Sequence, residues 1–267
     1  MTLCKKNVNL FNLPFNVLGV ITVSFPLFGL IICFLTSSYT QFDKINEIVC
    51  GVKNFIPSVS AITGTSPQRY IWRVFIALHS APRFLIACIH YNFYNNNIDV
   101  VPFNKRNSYL LIAKLNFIIN VIENLSLIGV SYIPSIDNYP MHEKIFITFM
   151  VTSCVYMAMT LYLYRLSHGD SANWTKLEML SYKFKVNFFI LILLCTTGLV
   201  YFIAIHRIYC TPNAFSWFSA CEYGIGMSNM GFNLSASLDF KNFSFNISSP
   251  DGTPQESEPS TMNKKTN

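Results

Sequence analysis

The sequence predicts an all-α polytopic membrane protein with about six transmembrane helices and both termini in the cytosol. Three observations carry that expectation. Of the 267 residues, 52% are apolar and only 12% are charged, about half the charged share of a soluble domain. Lys and Arg stand singly at the ends of apolar runs rather than in a basic domain, so the net charge of +6 points to membrane topology and not to nucleic acid. The apolar runs themselves recur at lengths that, at about 1.5 Å per residue, cross a hydrocarbon core of roughly 30 Å. The 19 basic and 13 acidic residues are too few to clothe a soluble domain of this size, which disfavours soluble enzyme folds.

The first span, residues 13–35, follows Lys5 and Lys6. It is too long for the apolar region of a signal peptide and no A-x-A-like cleavage site follows it, so it is expected to be retained. Further spans are expected at 71–92, 109–132, 144–164, 184–205 and 213–236, each bounded by polar, Pro or Asn-rich segments. The second, carrying His79, Arg83 and His90, reads as the least hydrophobic. Residues 1–240 would then form one six-helix transmembrane domain. Residues 241–267, with Pro250, Pro254 and Pro259 among Ser, Asn and Glu, are expected to be a disordered cytosolic tail. No internal repeat is visible.

Loop charge sets the orientation. With a cytosolic N-terminus, that side receives Lys5, Lys6, Lys105, Arg106, Arg165, Lys176, Lys183, Lys185, Lys241, Lys264 and Lys265, and the other receives Lys44, Lys53, Arg69, Arg73, Lys144 and Arg207. Of the eight cysteines, Cys33, Cys88, Cys154, Cys195 and Cys221 fall within spans and Cys4 is cytosolic, leaving Cys50 and Cys210 as the two in lumenal loops. Either they bridge, tying the first lumenal loop to the connection between the fifth and sixth helices, or they remain two unpaired thiols.

Polar side chains at membrane depth mark a pathway, a pocket or a structural pair. His79, Arg83 and His90 share a face of the second helix, Asn116, Asn120, Glu123 and Asn124 a face of the third, and Glu222, Asn229 and Asn233 a face of the sixth. His79, Glu123 and Glu222 each fall roughly 12 to 14 Å below the lumenal ends of their spans. Arg83 and Asn120 come about one turn deeper, with Arg69 and Arg73 at the lumenal mouth. Two readings follow. One is a pocket open to the lumenal leaflet that holds a phosphorylated headgroup; the other is an ion pair with interhelical amide bonds that fix packing, worth about 1 kcal/mol or less per bond. His142-Glu143 lacks the second His of a helical zinc motif, and there is no G-x-S-x-G, Gly-rich phosphate loop or Cys pair with metal spacing. Neither a metal nor another cofactor is expected. The glycosylation sequons at Asn173, Asn242 and Asn246 fall on the cytosolic side and those at Asn124 and Asn233 within spans, so none should be modified.

The stretch Asn54-Phe55-Ile56-Pro57-Ser58-Val59-Ser60, then Pro67-Gln68-Arg69-Tyr70-Ile71-Trp72-Arg73, then His79-Ser80-Ala81-Pro82-Arg83-Phe84-Leu85 resembles the post-GPI attachment to proteins factor 2 family. So do Leu115-Asn116-Phe117 with Asn120, Val121, Glu123, Asn124 and Leu125, His142-Glu143, Tyr209-Cys210, Glu222-Tyr223, Asn229-Met230 with Phe232, and Asp239-Phe240. The likeness runs from Cys50 to Phe240. Asn233 stands where the family pattern has His, and Ser237-Leu238 where it has a Trp pair that would anchor at the interface.

This resemblance implies a multi-pass Golgi and endoplasmic reticulum protein needed for fatty-acid remodelling of GPI anchors. The step implied is the reacylation of a lyso-GPI with a saturated sn-2 chain, which supports stable surface expression of GPI-anchored proteins. As an acyltransferase, the chain would use His79 as general base on the lysolipid hydroxyl, with Glu123 or Glu222 orienting it and Arg83, Arg69 or Arg73 holding the inositol phosphate among Asn116, Asn120 and Asn229. As a scaffold, it would use the same pocket to present lyso-GPI to a separate acyltransferase partner. No His-x4-Asp acyltransferase motif occurs. A channel or transporter is a third reading, weakened by the lack of any duplication. Finally, Lys264-Lys265-Thr266-Asn267 resembles a dilysine retrieval signal, a receptor-read address that works only on a flexible cytosolic tail.

Overall fold

The computed structural model describes residues 7–48 and 50–250. Lys264 and Lys265, like Cys4, lie outside these residues. In chain order the elements are β1 (Asn7–Pro14), α1 (Phe15–Thr40), α2 (Phe42–Asn46), α3 (Val59–Gly64), α4 (Gln68–Asn96), α5 (Arg106–Tyr132), α6 (Tyr139–Ser167), α7 (Lys176–Tyr209), α8 (Ala214–Leu234), α9 (Ala236–Asp239) and β2 (Ser244–Pro250). The fold is all-α apart from the strand pair.

Five helices, α1, α4, α5, α6 and α7, are long and apolar enough to cross a membrane. The sixth, α8, has 21 residues, about 32 Å of helix, but its Ser, Gly, Asn and Glu222 keep it out of that group. Averaged over whole helices, α4, the second span, is the least hydrophobic of the six, as expected. The strands decide whether α8 crosses. β1 precedes α1, β2 follows α9, and the two pair antiparallel from Asn7 with Pro250 to Pro14 with Ser244. Both ends thus meet on one side of the bundle, which requires an even number of crossings and makes α8 the sixth. The side bearing the strands is called here the terminal face and the other the disulfide face.

Two expectations are corrected at the terminal face. Residues 244–250 are not irregular tail but a strand, because Phe245 and Ile247 alternate with Ser and Asn opposite a similarly alternating β1. A two-stranded ribbon is marginal alone, and this one is held down by the Phe15 N–H donating to Phe243 O (3.0 Å) and by the Phe15 and Phe240 rings, 4.8 Å between centroids. Lys185, counted above with the cytosolic flank, lies inside α7 because the helix starts at Lys176. There Thr175 caps it and the Glu178 carboxylate reaches back to the Thr175 N–H at 2.7 Å.

The helices follow one another around the bundle, with α1 packed on α4 and closing against α8 and α9, and α7 packed on α8. Phe149, Met157, Ile192, Leu199, Ile225 and Phe232 fill the space between α6, α7 and α8. Leu30, Cys33, Ile62, Trp72 and Ile76 join α1, α3 and α4. Outward-facing Phe28, Leu194 and Val200 are exposed, as lipid-facing side chains are. At the seam between first and last helices, a Cβ on Gly19 would come within 3.1 Å of Ser237 Cβ. Ser237, which stands with Leu238 in the place of the family pattern's Trp pair, is buried there as a close helix contact.

On the disulfide face, Cys50 and Cys210 are joined, Cα atoms 5.7 Å apart, across 160 residues of sequence. A loop that long is worth about 5 kcal/mol in the chain-entropy account. Cys50→Ser and Cys210→Ser are expected to lower thermal stability alike, with the double variant no worse than either. Non-reducing peptide mapping that recovered both thiols free from the native membrane would overturn this.

Candidate functional site

The polar stripes converge into a network at mid-bundle. Arg83 of α4 donates through Nη2 to Glu123 Oε2 of α5 at 3.1 Å, to Asn120 Oδ1 at 3.5 Å and to Asn233 Oδ1 of α8 at 3.3 Å, and through Nη1 to Asn229 Oδ1 at 3.3 Å. Asn229 Nδ2 donates to Glu123 Oε1 (2.5 Å) and Ser153 Oγ of α6 (2.7 Å). Arg83 is 3% exposed and Glu123 fully buried, so each charge depends on the other. Asn116 stands slightly apart, accepting from Thr160 Oγ1 at 3.3 Å.

Two of the expected members are elsewhere. His79 Nδ1 lies 2.7 Å from the Thr22 carbonyl of α1 and meets no carboxylate; since a carbonyl only accepts, Nδ1 carries the proton. Glu222 does not reach Arg83. It binds α3, its Oε2 accepting the Val59 N–H at 2.8 Å and its Oε1 lying 3.0 Å from Ser60 Oγ. Ser60 Oγ is in turn 2.9 Å from His142 Nε2 on α6, and His142 Nδ1 is 2.7 Å from the Ile133 carbonyl. The segment that delivers Ser60 is fixed on α8 a second time by the Phe55 N–H, which donates to Ser216 Oγ at 2.9 Å, and Ser58 caps α3 by accepting from the Ala61 N–H. Arg69 makes a half-exposed ion pair with Asp137 (3.5 Å), and Arg73 donates to the Tyr132 carbonyl (2.9 Å) with its guanidinium 5.4 Å from the Tyr132 ring. Both thus sit at the disulfide face, near the α5–α6 connection and away from Arg83.

Two cavities meet at Ser60, His142 and Glu222. The inner one, about 100 Å³, runs down between α1, α4, α5 and α8 past Trp72 and His79 to Asn229. The outer one, about 750 Å³, lies between α6, α7 and α8; Phe146, Met150, Leu199 and Ile203 form much of its wall, and Glu143 and Arg207 its rim. Arg207 Nη2 binds Glu143 Oε1 at 2.6 Å and also Tyr139 Oη. Exposed Ile147 and Val200 border the outer cavity, so it opens sideways toward lipid. Its volume falls in the roughly 300–1,000 Å³ range of small-molecule sites.

Residues 14–243 match the family described as Frag1/DRAM/Sfk1/Cwh43P N-terminal domain. The chain is 45% identical over 227 residues to a Drosophila melanogaster protein named post-GPI attachment to proteins factor 2-like, covering 85% of this chain and 69% of that one. It is 37% identical over 243 residues to a Xenopus tropicalis protein named acyltransferase PGAP2, covering 91% and 94%. With a Caenorhabditis elegans post-GPI attachment to proteins factor 2 it shares 28% over 233 residues, 87% and 88% of the two chains. The chain belongs to the post-GPI attachment to proteins factor 2 family. No solved structure gives a significant match.

In this family member the polar groups that sequence reasoning missed are those whose partners lie on other elements. Ser60 carries no local signal of chemistry, and His142 none beyond half of a zinc motif, although both fall in the stretches that carry the family resemblance. Among the described residues no group of His, Cys, Asp and Glu is arranged to hold a metal ion. Asn233, in the place of the family's His, closes the network on Arg83. A further buried cluster lies near the terminal face. Lys185 Nζ binds Asp239 Oδ2 at 2.7 Å and Oδ1 at 2.8 Å, and His90 Nε2 is 3.7 Å from Asp239 Oδ2. His90 therefore belongs with this cluster and not with Arg83.

Proposed function

We propose that this chain acts in fatty-acid remodelling of GPI anchors, at the step that reacylates a lyso-GPI with a saturated sn-2 chain, and that it performs the transfer itself. The outer cavity carries the reading: an apolar slot open to lipid, ending in polar groups at one membrane face, suits an acyl chain whose ester end must meet chemistry while its headgroup stays in water. The names of the relatives, post-GPI attachment to proteins factor 2-like and acyltransferase PGAP2, support it.

The disulfide favours an oxidising compartment on its side, which agrees with the loop charges and supports a lumenal disulfide face with both ends of the chain cytosolic; in this reading the membranes are those of the Golgi and endoplasmic reticulum. Arg69 and Arg73 lie near the Ser135–Ile136 border of the outer cavity and Arg207 on its rim; together they supply cationic groups for the inositol phosphate. The GPI lipid is then the substrate. In this reading the Arg83 and Glu123 network holds the helices that form the cavities, and His79 and Asn229 line the inner end.

The test is acyl transfer to lyso-GPI by the purified protein in vesicles holding a labelled phospholipid donor and no other protein. Transfer into the sn-2 position is expected. Its absence, with restored surface display of GPI-anchored proteins in cells lacking the gene, would replace the enzyme by a scaffold serving a separate acyltransferase.

A further inference from the structure

Resting on the reading of this chain as the transferase, we propose that Ser60 is the nucleophile that carries the acyl group and His142 the base that activates it. The geometry has the parts of an activated nucleophile in hydrogen-bond sequence. Because the Ile133 carbonyl only accepts, His142 Nδ1, 2.7 Å away, holds the proton and fixes the ring. Nε2 then presents its lone pair to Ser60 Oγ at 2.9 Å. This is the order nucleophile, base, orienting group found in hydrolytic triads, with a backbone carbonyl in the place of the Asp. Glu222 fixes the other side of the serine. It takes the Val59 N–H and, with Oε1 3.0 Å from Ser60 Oγ, is the second acceptor for the single hydroxyl proton, which reaches His142 Nε2 when the O–H turns toward it; the short helix cannot rotate Ser60 away without losing the Val59 contact.

Position supports the same assignment. Ser60 is half-buried whereas His142 and Glu222 are buried, so of the three it is the one open to a substrate. All three border both cavities. A site of about 750 Å³ is of the size that encloses a single drug-sized ligand and holds one long chain at a time. Donor and acceptor lipids would have to use it in turn, which a covalent acyl carrier permits and a direct transfer between two bound lipids does not.

The cycle balances without a redox partner. A long-chain phospholipid acyl ester enters from the bilayer, Ser60 Oγ attacks its carbonyl carbon, and the Oγ proton passes to His142 Nε2. The Oγ–C bond forms, the C–O bond to the donor breaks, and Nε2 returns the proton to the departing oxygen, so the donor leaves as a lysophospholipid. The sn-2 hydroxyl of lyso-GPI then attacks the acyl-Ser60 carbonyl and gives its proton to Nε2, which passes it to Ser60 Oγ as the C–Oγ bond breaks.

The full-length protein in lipid vesicles is treated with a long-chain alkyl fluorophosphonate, which phosphonylates activated serines, and acyl transfer is measured alongside. Labelling mapped to Ser60 is expected in the wild type. It should vanish in Ser60→Ala and slow at least about 100-fold in His142→Gln, the span of one general base. Ser60→Cys, incubated with palmitoyl-labelled phospholipid, should hold a palmitoyl thioester released by neutral hydroxylamine, which keeps the proposal testable should Ser60→Ala fail to fold. Undiminished transfer by Ser60→Ala, or no thioester on a folded Ser60→Cys protein, would overturn the assignment and leave the transferase reading standing. Labelling at Ser60 without transfer by the wild type would instead overturn the transferase reading, and absence of both would overturn both.

Discussion

Arg83→Ala and Glu123→Ala are each expected to destabilise the bundle by about 3–5 kcal/mol, the cost of leaving one member of a buried ion pair uncompensated. The magnitude follows from position. Glu123 is fully buried and Arg83 nearly so, and the amides around them, Asn120, Asn229 and Asn233, direct their carbonyl oxygens at the guanidinium. Without Arg83, four acceptors from two helices would face one another. Removing both charges together as Arg83→Met with Glu123→Leu should be milder than either single change, since apolar pairs of similar volume often replace buried ion pairs at little cost. The measurements are thermal unfolding in detergent and surface display of GPI-anchored proteins in cells lacking the gene. Single variants that unfold within about 1 kcal/mol of the wild type would overturn the account, because that is the range of an exposed pair.

Lys185→Ala and Asp239→Ala form the second large case, again at about 3–5 kcal/mol. Lys185 is 2% exposed, both Asp239 oxygens are within 2.8 Å of its Nζ, and Ser181 Oγ lies 2.7 Å from the same nitrogen. The pair joins α7 to α9 just before β2, so its loss should also free residues 244–250, read as faster amide exchange there. Burial alone would raise the Asp239 carboxyl, but Lys185 and His90 outweigh it and hold it well below the usual carboxylate range. A carboxyl lowered on folding contributes above its unfolded value, about 3.9, and the contribution is lost as pH falls through the folded one. The pair should therefore stay intact at the near-neutral pH of the face on which it lies and fail only in strong acid. Unfolding of the wild type that tracked pH between about 5 and 7 through Asp239 would contradict this.

The helical architecture was legible because lipid imposes a simple pattern: long apolar runs with charges at their ends. The mid-bundle network was legible for a related reason, since Asn120 and Glu123, like Asn229 and Asn233, repeat at helical spacing on otherwise apolar faces. What periodicity cannot supply is the identity of a partner on another element. Glu222 was placed level with His79 and Glu123, yet its partners are a backbone N–H and a hydroxyl on a six-residue helix from a loop with no apolar period. Lys185 sits between Phe184 and Val186 close to a polar turn, indistinguishable in sequence from a flanking lysine until Asp239 is seen beside it. The strand at 244–250 did leave a trace, Phe245 and Ile247 alternating with polar residues, but the prolines and serines around it outweighed that signal.

Both closures of the helix ring join early residues to late ones: Cys50 to Cys210 on one face, and Asn7–Pro14 to Ser244–Pro250 on the other. During synthesis, α1 enters the membrane with its Gly19 side bare, because Ser237 does not yet exist. The Cys50 thiol must likewise wait through 160 residues for its mate. Oxidation of Cys50 is thus a timestamp of synthesis through α7: a chain stalled or truncated before Cys210 carries Cys50 without its mate, and the redox state of one cysteine tells a chain that has reached the α7–α8 connection from one that has not.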